Sequence, residues 1–229
     1  MLFTSIGYGQ DTIYLDENFK ELKDIKLSDY FQIVEKLKDD PEISIEKIFY
    51  IDGLLKSERT YKNYGSKKKE LLESDFFYKN GQLHIHSELK NGKYDGNFLS
   101  FWENGHKKRK DVYKKGKLLE GICWDINGNK VEYYAFEIPS QYPGGLENFI
   151  AYVRINLLPI VPPKYKGEKV IVKFEIDEQG MARNVVLSKS FDSQFDNKLK
   201  EIFQKMPNWD PAFQDGVAVS TTKSLPLAL

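Results

Sequence analysis

The sequence predicts an α+β protein in two parts: an antiparallel sheet of repeated β-hairpins, then two helices packed on a three-stranded antiparallel sheet. Three observations carry that expectation. A short phrase, aromatic residues followed by Asn or Asp and then Gly, recurs four times between Phe49 and Gly128. Near Glu137 the phrase stops and the punctuation of the chain changes. Beyond that point apolar residues run first at helical spacing and then in strand alternation. The chain accordingly divides into residues 1–10, a hairpin-repeat domain over 11–136, and a second domain over 137–229.

Bulk composition narrows the function classes. A length of 229 residues suits one large domain or two modest ones. Lys plus Arg is 34 and Asp plus Glu is 34, so the chain is formally neutral. Neutrality argues against a nucleic-acid partner held by bulk charge, because phosphate contacts need an excess of Lys and Arg. With 15 Phe, 14 Tyr and 3 Trp the chain can fill a core, which argues against intrinsic disorder. Cys123 is the single cysteine, so neither an intrachain disulfide nor a multi-cysteine zinc site is expected. The longest apolar stretch, Leu157–Pro163, contains three prolines and falls far short of the ~20 residues of a spanning helix. No transmembrane anchor is expected in the chain as given.

Met1–Gln10 is uncharged, partly apolar and ends in small residues. Two readings stand side by side. It is the tail of a secretory signal whose basic and apolar parts lie upstream, which places the protein in the periplasm or cell envelope, or it is a frayed terminus of a cytoplasmic protein. Next, Ile13-Tyr14-Leu15 reads as a short strand. Tyr30–Leu37 fits either a strand or one face of a helix, and Pro41 ends it.

The repeats follow. The four phrases are Phe49-Tyr50-Ile51-Asp52-Gly53, Phe77-Tyr78-Lys79-Asn80-Gly81, Phe101-Trp102-Glu103-Asn104-Gly105 and Trp124-Asp125-Ile126-Asn127-Gly128. Their glycines are spaced by about 28, 24 and 23 residues, inside the range of repeat architectures. Asn-Gly and Asp-Gly favour a two-residue type I′ turn, so each phrase is read as a strand end, a tight turn and the next strand start. Between phrases, Asn91-Gly92, Gly96, Gly116 and Gly121 supply further punctuation. The flanks alternate with period two, as Leu83 and Ile85 do against His84 and His86. A lone hairpin cannot bury an apolar face, so the hairpins must join in one meander. The segment from about Ile48 to Val131 resembles the MORN-like repeats of the YwqK type. That resemblance implies interaction or scaffolding and no chemistry.

In the second part, Tyr142-Pro143-Gly144-Gly145 makes a turn. Leu146, Phe149, Ile150, Val153 and Leu157 then form one apolar stripe of an amphipathic helix, stopped by Pro159, Pro162 and Pro163. Lys169–Ile176 alternates as a strand, Asp177–Gly180 turns, and Val185–Ser188 with Met181 returns. Phe195, Leu199, Ile202 and Phe203 mark a second helix, Pro207–Pro211 a rigid connector, and Gly216–Leu227 a final strand. Its alternation puts Val217, Val219 and Thr221 inward and Ala218, Ser220 and Thr222 outward.

This order of elements, with Tyr142–Gly145, Gly167, Val170–Ile176, Gly180, Met206-Pro207, Trp209, Pro211, Gly216 and Leu225-Pro226, resembles the C-terminal domain of the TonB energy-transducer family over about 140–229. The resemblance implies a non-catalytic periplasmic module that serves transmembrane transport. Such a module docks the N-terminal peptide, the TonB box, of TonB-dependent outer-membrane receptors by β-augmentation. The partner-binding residues so implied are Val217, Ala218, Val219, Ser220, Thr221 and Thr222 of the final strand. Leu158 and Pro159 join them, standing where the family often has Tyr-Pro. The chain also departs from the family: a repeat domain replaces the membrane helix and Pro-rich spacer, and Ala212 replaces a common glycine. The partner is then a receptor peptide or another envelope protein, and homodimerisation is compatible with the same edge. The alternative is a scaffold or antitoxin-like interaction protein acting through its repeats.

Signatures of chemistry are sparse. Gly7-Tyr8-Gly9 lacks the third glycine of a dinucleotide fingerprint and has no preceding strand. His84 and His86, with His106, read as surface histidines rather than metal ligands, and Cys123 as an inert buried thiol. Lys107-Lys108-Arg109-Lys110 reads as a solvated edge that blocks strand pairing, and Trp209 as a core plug. No catalytic residue, metal or cofactor is expected.

Overall fold

The computed structural model describes residues 12–23 and 25–229; the readings of Met1–Gln10 and of Gly7-Tyr8-Gly9 lie outside the described residues. The class is α+β, mostly antiparallel sheet with two helices, and the chain forms two compact units that divide after Tyr133.

The first unit is one eleven-stranded sheet. Its strands are β1 (Ile13–Leu15), β2 (Glu21–Leu22), β3 (Tyr30–Lys36), β4 (Ile43–Tyr50), β5 (Leu55–Lys62), β6 (Glu70–Phe77), β7 (Leu83–Lys90), β8 (Lys93–Phe101), β9 (Lys107–Lys114), β10 (Lys117–Trp124) and β11 (Lys130–Val131). From β3 to β11 each strand pairs antiparallel with the next, while β1 and then β2 extend the sheet beyond β3. Tyr30–Lys36, open between helix and strand in the sequence, is a strand because β1 and β4 both pair with it.

The phrase turns differ from the expected type I′ geometry. Gly53, Gly81, Gly105 and Gly128 have positive φ, from 85° to 91°, whereas the Asp or Asn before each does not. Each glycine N–H bonds back three residues, as Gly53 does to the Tyr50 carbonyl at 2.9 Å. This is a type I turn closed by a left-handed glycine, the three-residue hairpin loop. The acidic or amide side chain explains the choice, because Asp52, Asn80 and Asn104 each accept the N–H two residues on, at 2.9–3.1 Å. True type I′ pairs occur instead at Asn91-Gly92 and Lys115-Gly116, at the other end of the hairpins.

Side chains then tie one repeat to the next. Asn80 Nδ2 donates to the Glu103 carbonyl at 2.9 Å, and Asn104 Nδ2 to the Ile126 carbonyl at 3.1 Å. Tyr78 Oη donates to the Phe101 carbonyl at 2.9 Å, and Trp102 Nε1 to the Trp124 carbonyl at 3.1 Å. One face of the sheet is closely packed around Ile48, Tyr61, Phe98 and Cys123, with Ser44, Ser57, Ser74, Ser87 and Ser100 buried between them. Arg109 and Asp111 are fully buried there and pair at 3.1 Å.

The basic run is therefore no edge. Strand β9 lies between β8 and β10, and both Lys108 and Arg109 are buried. Strand alternation sends neighbouring cations to opposite faces, where Lys108 Nζ sits 4.3 Å from the Trp102 ring centroid.

The second unit contains β12 (Glu137–Ile138), α1 (Gly145–Leu157), β13 (Lys169–Ile176), β14 (Ala182–Leu187), α2 (Ser193–Gln204), β15 (Ala212–Gln214), β16 (Val217–Val219) and β17 (Thr221–Ala228). Two three-stranded sheets result, ordered β12-β15-β16 and β14-β13-β17. Val170, Val172, Phe174 and Ile176 of β13 pack against Phe149, Val153 and Leu157 of α1 and Phe195, Leu199, Ile202 and Phe203 of α2 in one core cluster. Asp192 caps α2, its side chain accepting from Phe195 N at 2.9 Å.

Two expectations need correction. The α1 stripe is narrower than predicted, because Leu146 is 69 % and Ile150 50 % exposed. The buried face turns instead through Tyr152, whose hydroxyl donates to the Ile202 carbonyl at 2.9 Å. The final strand is also broken. Residues 217–219 pair with β15 through a type I′ turn at Asp215-Gly216, and the chain then crosses at Ser220 to pair with β13. Val217 is consequently 58 % exposed rather than inward.

Candidate peptide-binding edge

Among the described residues strand β17 is an edge, with β13 on one side only. Its direction of hydrogen bonding follows from Ile171. Ile171 N donates to Ser188 Oγ and its carbonyl accepts from Ser188 N, each at 2.9 Å, so Ile171 faces away from β17. Pro226 is its partner in register, and the pair is a non-hydrogen-bonded one. By alternation Thr222, Ser224, Pro226 and Ala228 turn their backbone groups to the open side, and their side chains are exposed. Thr221, Lys223, Leu225 and Leu227 face β13 with their backbone and the core with their side chains.

Pro226 divides that edge. It offers a carbonyl but no N–H, so on its N-terminal side a pairing strand finds a full set of donors and acceptors at Thr222 and Ser224, and beyond it only Ala228 remains. Beside this half of the strand opens a cavity of about 290 Å³. Phe149, Phe174 and Trp209 floor it, Tyr142 and the exposed Leu146 wall it, and Lys223 and Ser224 form the rim on the strand. The Trp209 ring centroid lies 5.0 Å from that of Phe149 and 5.5 Å from that of Tyr142, and its Nε1 donates to Met206 Sδ at 3.4 Å. Trp209 is thus a core plug that also shows a face to the cavity. Lys223 Nζ stands 5.5 Å over the same ring and 3.5 Å from the Ser140 carbonyl. Burial, with the nearby Tyr152, raises the Tyr142 phenol above its usual range. The arrangement offers hydrogen bonds along a strand, one apolar socket and one cation.

The structure separates the residues singled out from sequence. Thr221 and Thr222 lie on β17, Ser220 at the crossing, and Val217, Ala218 and Val219 on β16 in the other sheet. Leu158 and Pro159 form a short 3-10 turn after α1. At a rise of about 1.5 Å per residue, Leu158 is about 18 Å along the helix from Leu146. Sequence reasoning missed Ser224, Lys223, Tyr142, Leu146, Phe149 and Phe174. Pro226 was the available signal: a proline inside a strand marks an edge and identifies which residues face it.

Elsewhere, His84 stacks on Tyr78 at 4.1 Å, and His106 Nδ1 lies 3.0 Å from the Ile126 carbonyl. His86 Nδ1 is 2.6 Å from Asp75, its cross-strand partner, and Nε2 is 3.7 Å from Glu88. Burial opposes ionisation of Glu88, but hydrogen bonds from Asn97 and the charge of His86 outweigh it and lower the pKa. Among the described residues no group of three or more His, Cys, Asp or Glu is placed to hold a metal, and no helix is long and apolar enough to cross a membrane. Cys123 is fully buried. Comparison of the chain with protein-family models, with curated proteins and with solved structures found no match.

Proposed function

We propose that residues 134–229 form a non-catalytic module that binds an extended peptide as an added strand on β17. The observation that carries this reading is the coincidence of the open Thr222 and Ser224 backbone groups with the apolar cavity beside them. An incoming strand exchanges hydrogen bonds with those two residues and drops one apolar side chain onto Phe149, Phe174 and Trp209. It also covers Leu146, which otherwise stays in water. The TonB-like order of motifs supports a particular partner, the N-terminal peptide of a TonB-dependent outer-membrane receptor, and with it a place in the cell envelope. On this reading the hairpin unit is a MORN-like scaffold.

The test is titration of receptor-derived peptides into the isotope-labelled full chain, followed by amide shifts. Shifts should centre on Thr222–Leu225 and on Leu146. Ser224→Pro removes one open-side N–H while leaving the β13 ladder intact, so it should weaken binding about 2- to 10-fold, the weight of one hydrogen bond. Ser224→Ala should change little. Shifts confined to the hairpin unit would instead favour the scaffold acting through its repeats.

A further inference from the structure

Within the hairpin unit, β3 to β6 build a second cavity, of about 350 Å³, on the packed face of the sheet. At its centre is Glu46, whose side chain is only 7 % exposed. Glu46 faces Arg59 across the β4–β5 ladder and accepts from Tyr64 Oη at 2.9 Å, Arg59 Nη1 at 3.3 Å and Gln32 Nε2 at 3.4 Å. Lys69 Nζ lies 3.9 Å from the same carboxylate, held 3.9 and 4.0 Å from the Tyr61 and Tyr64 ring centroids. Burial and the Glu46 charge push Tyr64 up to about 12, which keeps its hydroxyl a donor. Lys56 lines the same cavity, with Nζ 4.9 to 5.8 Å from the rings of Tyr50, Tyr30 and Phe19 and 3.4 Å from Tyr50 Oη.

The charges around this space do not balance. Among the described residues, Lys56, Arg59 and Lys69 line it, and Glu46 is the one carboxylate that does. Aromatic faces hold cations but leave the net charge, and a half-enclosed space weakens the screening that water gives surface lysines. Glu46 already takes four polar neighbours, so it cannot neutralise the remaining two charges. Leu15, Ile48 and Phe76 give it an apolar wall, with Gln32 and Ser57 as its neutral polar lining. At about 30 Å³ per water, the volume holds about a dozen small groups, more than an inorganic anion fills.

We propose that this cavity is a binding site for a small organic dianion with an apolar body, its charged head between Lys56, Arg59 and Lys69 and its body against Leu15, Ile48 and Phe76. A phosphate monoester and a compact dicarboxylate share that chemistry. The site is separate from the β17 edge, and its test does not depend on peptide binding.

The experiment is calorimetric titration of the full chain at pH 8 and low salt with phenyl phosphate, phthalate, benzoate and inorganic phosphate. Phenyl phosphate is a dianion there, since its second pKa is about 6. Phenyl phosphate or phthalate should bind, and their ranking identifies the head group. Benzoate, with one charge, should bind about tenfold more weakly, the weight of one charge-assisted hydrogen bond, and inorganic phosphate, with no body, should bind at least about tenfold more weakly for want of apolar burial. Lys56→Gln and Lys69→Gln should each reduce affinity by about the same factor while leaving the melting transition in place. Failure of both dianions to bind at millimolar concentration would overturn the proposal. So would affinity indifferent to both substitutions, or inorganic phosphate binding as well as phenyl phosphate.

Discussion

Replacing Gly180 with Ala adds one methyl group where the chain packs directly on another backbone segment. Gly180 closes the β13–β14 turn at φ +79°, with its N–H on the Asp177 carbonyl at 2.9 Å. A left-handed backbone costs an L-residue about 1–2 kcal/mol. The added Cβ would also stand 1.9 Å from the Trp209 carbonyl oxygen, 3.0 Å from its carbonyl carbon and 3.2 Å from its nitrogen. All three atoms are backbone, so no side chain can swing aside, and the Trp209 segment must retreat by more than an ångström. That retreat strains the 2.8 Å bond from Trp209 N to the Gly180 carbonyl and lifts the indole off Phe149 and Phe174. Overpacking of this kind costs about 1–3 kcal/mol, for a total of about 2–5 kcal/mol. Gly167→Ala is the control: φ is +86°, nothing lies within 4 Å of its Cβ, and only the conformational cost applies. Native-state hydrogen exchange of the β13 amides reads the opening free energy of this unit alone. Equal losses in the two variants would refute the argument, because the contact with Trp209 would then carry no energy.

Other expectations follow from the same geometry. Asn80→Ala and Asn104→Ala should each lower the stability of the hairpin sheet by about 1–3 kcal/mol in urea unfolding, since each removes an inter-repeat hydrogen bond and the turn bond to the N–H two residues on. Asp111→Ala removes the carboxylate paired with fully buried Arg109 and should cost about 3–5 kcal/mol, whereas Arg109→Met combined with Asp111→Leu should restore most of it in the same assay. Hydrogen bonds from Tyr165 Oη, Phe195 N and Lys164 Nζ hold the Asp192 carboxyl far below the usual carboxylate range. A depressed folded-state pKa stabilises above the unfolded value of about 4 and is lost as pH falls through the folded one. Asp192→Asn should therefore flatten the acid limb of the melting temperature, measured by circular dichroism, and a limb as steep as in the parent chain would refute the assignment.

What the sequence discloses here is local. The hairpin turns were legible because Asp52, Asn80 and Asn104 form them with residues two and three positions away. Strand β13 and helix α2 were legible because their buried residues fall on a single periodic face. The errors arise where a partner distant in sequence decides. Leu146 and Ile150 share the helical spacing of Phe149 and Val153, but the core accommodates Tyr152 instead, through the Ile202 carbonyl. Nothing within 217–227 marks the crossing at Ser220, where pairing passes from β15 to β13. The burial of Arg109 depends on Asp111 and on strands to either side, which a run of four basic residues conceals. The peptide edge and the charged cavity draw on several strands each, so neither leaves a contiguous motif.

The cross-repeat bonds also set the increment by which this sheet can change length. Tyr78, Asn80, Trp102 and Asn104 each reach a carbonyl 22 or 23 residues ahead. A duplication or deletion of one such period moves donors and acceptors together and returns every side chain to its own face. Loss of a single strand would instead reverse the chain direction and leave each amide pointing at the wrong end of its neighbour. Lineages carrying this sheet should therefore differ by whole two-strand modules, with the odd strand appearing only at an outer rim, where among the described residues β2 and β11 have no further neighbour to satisfy.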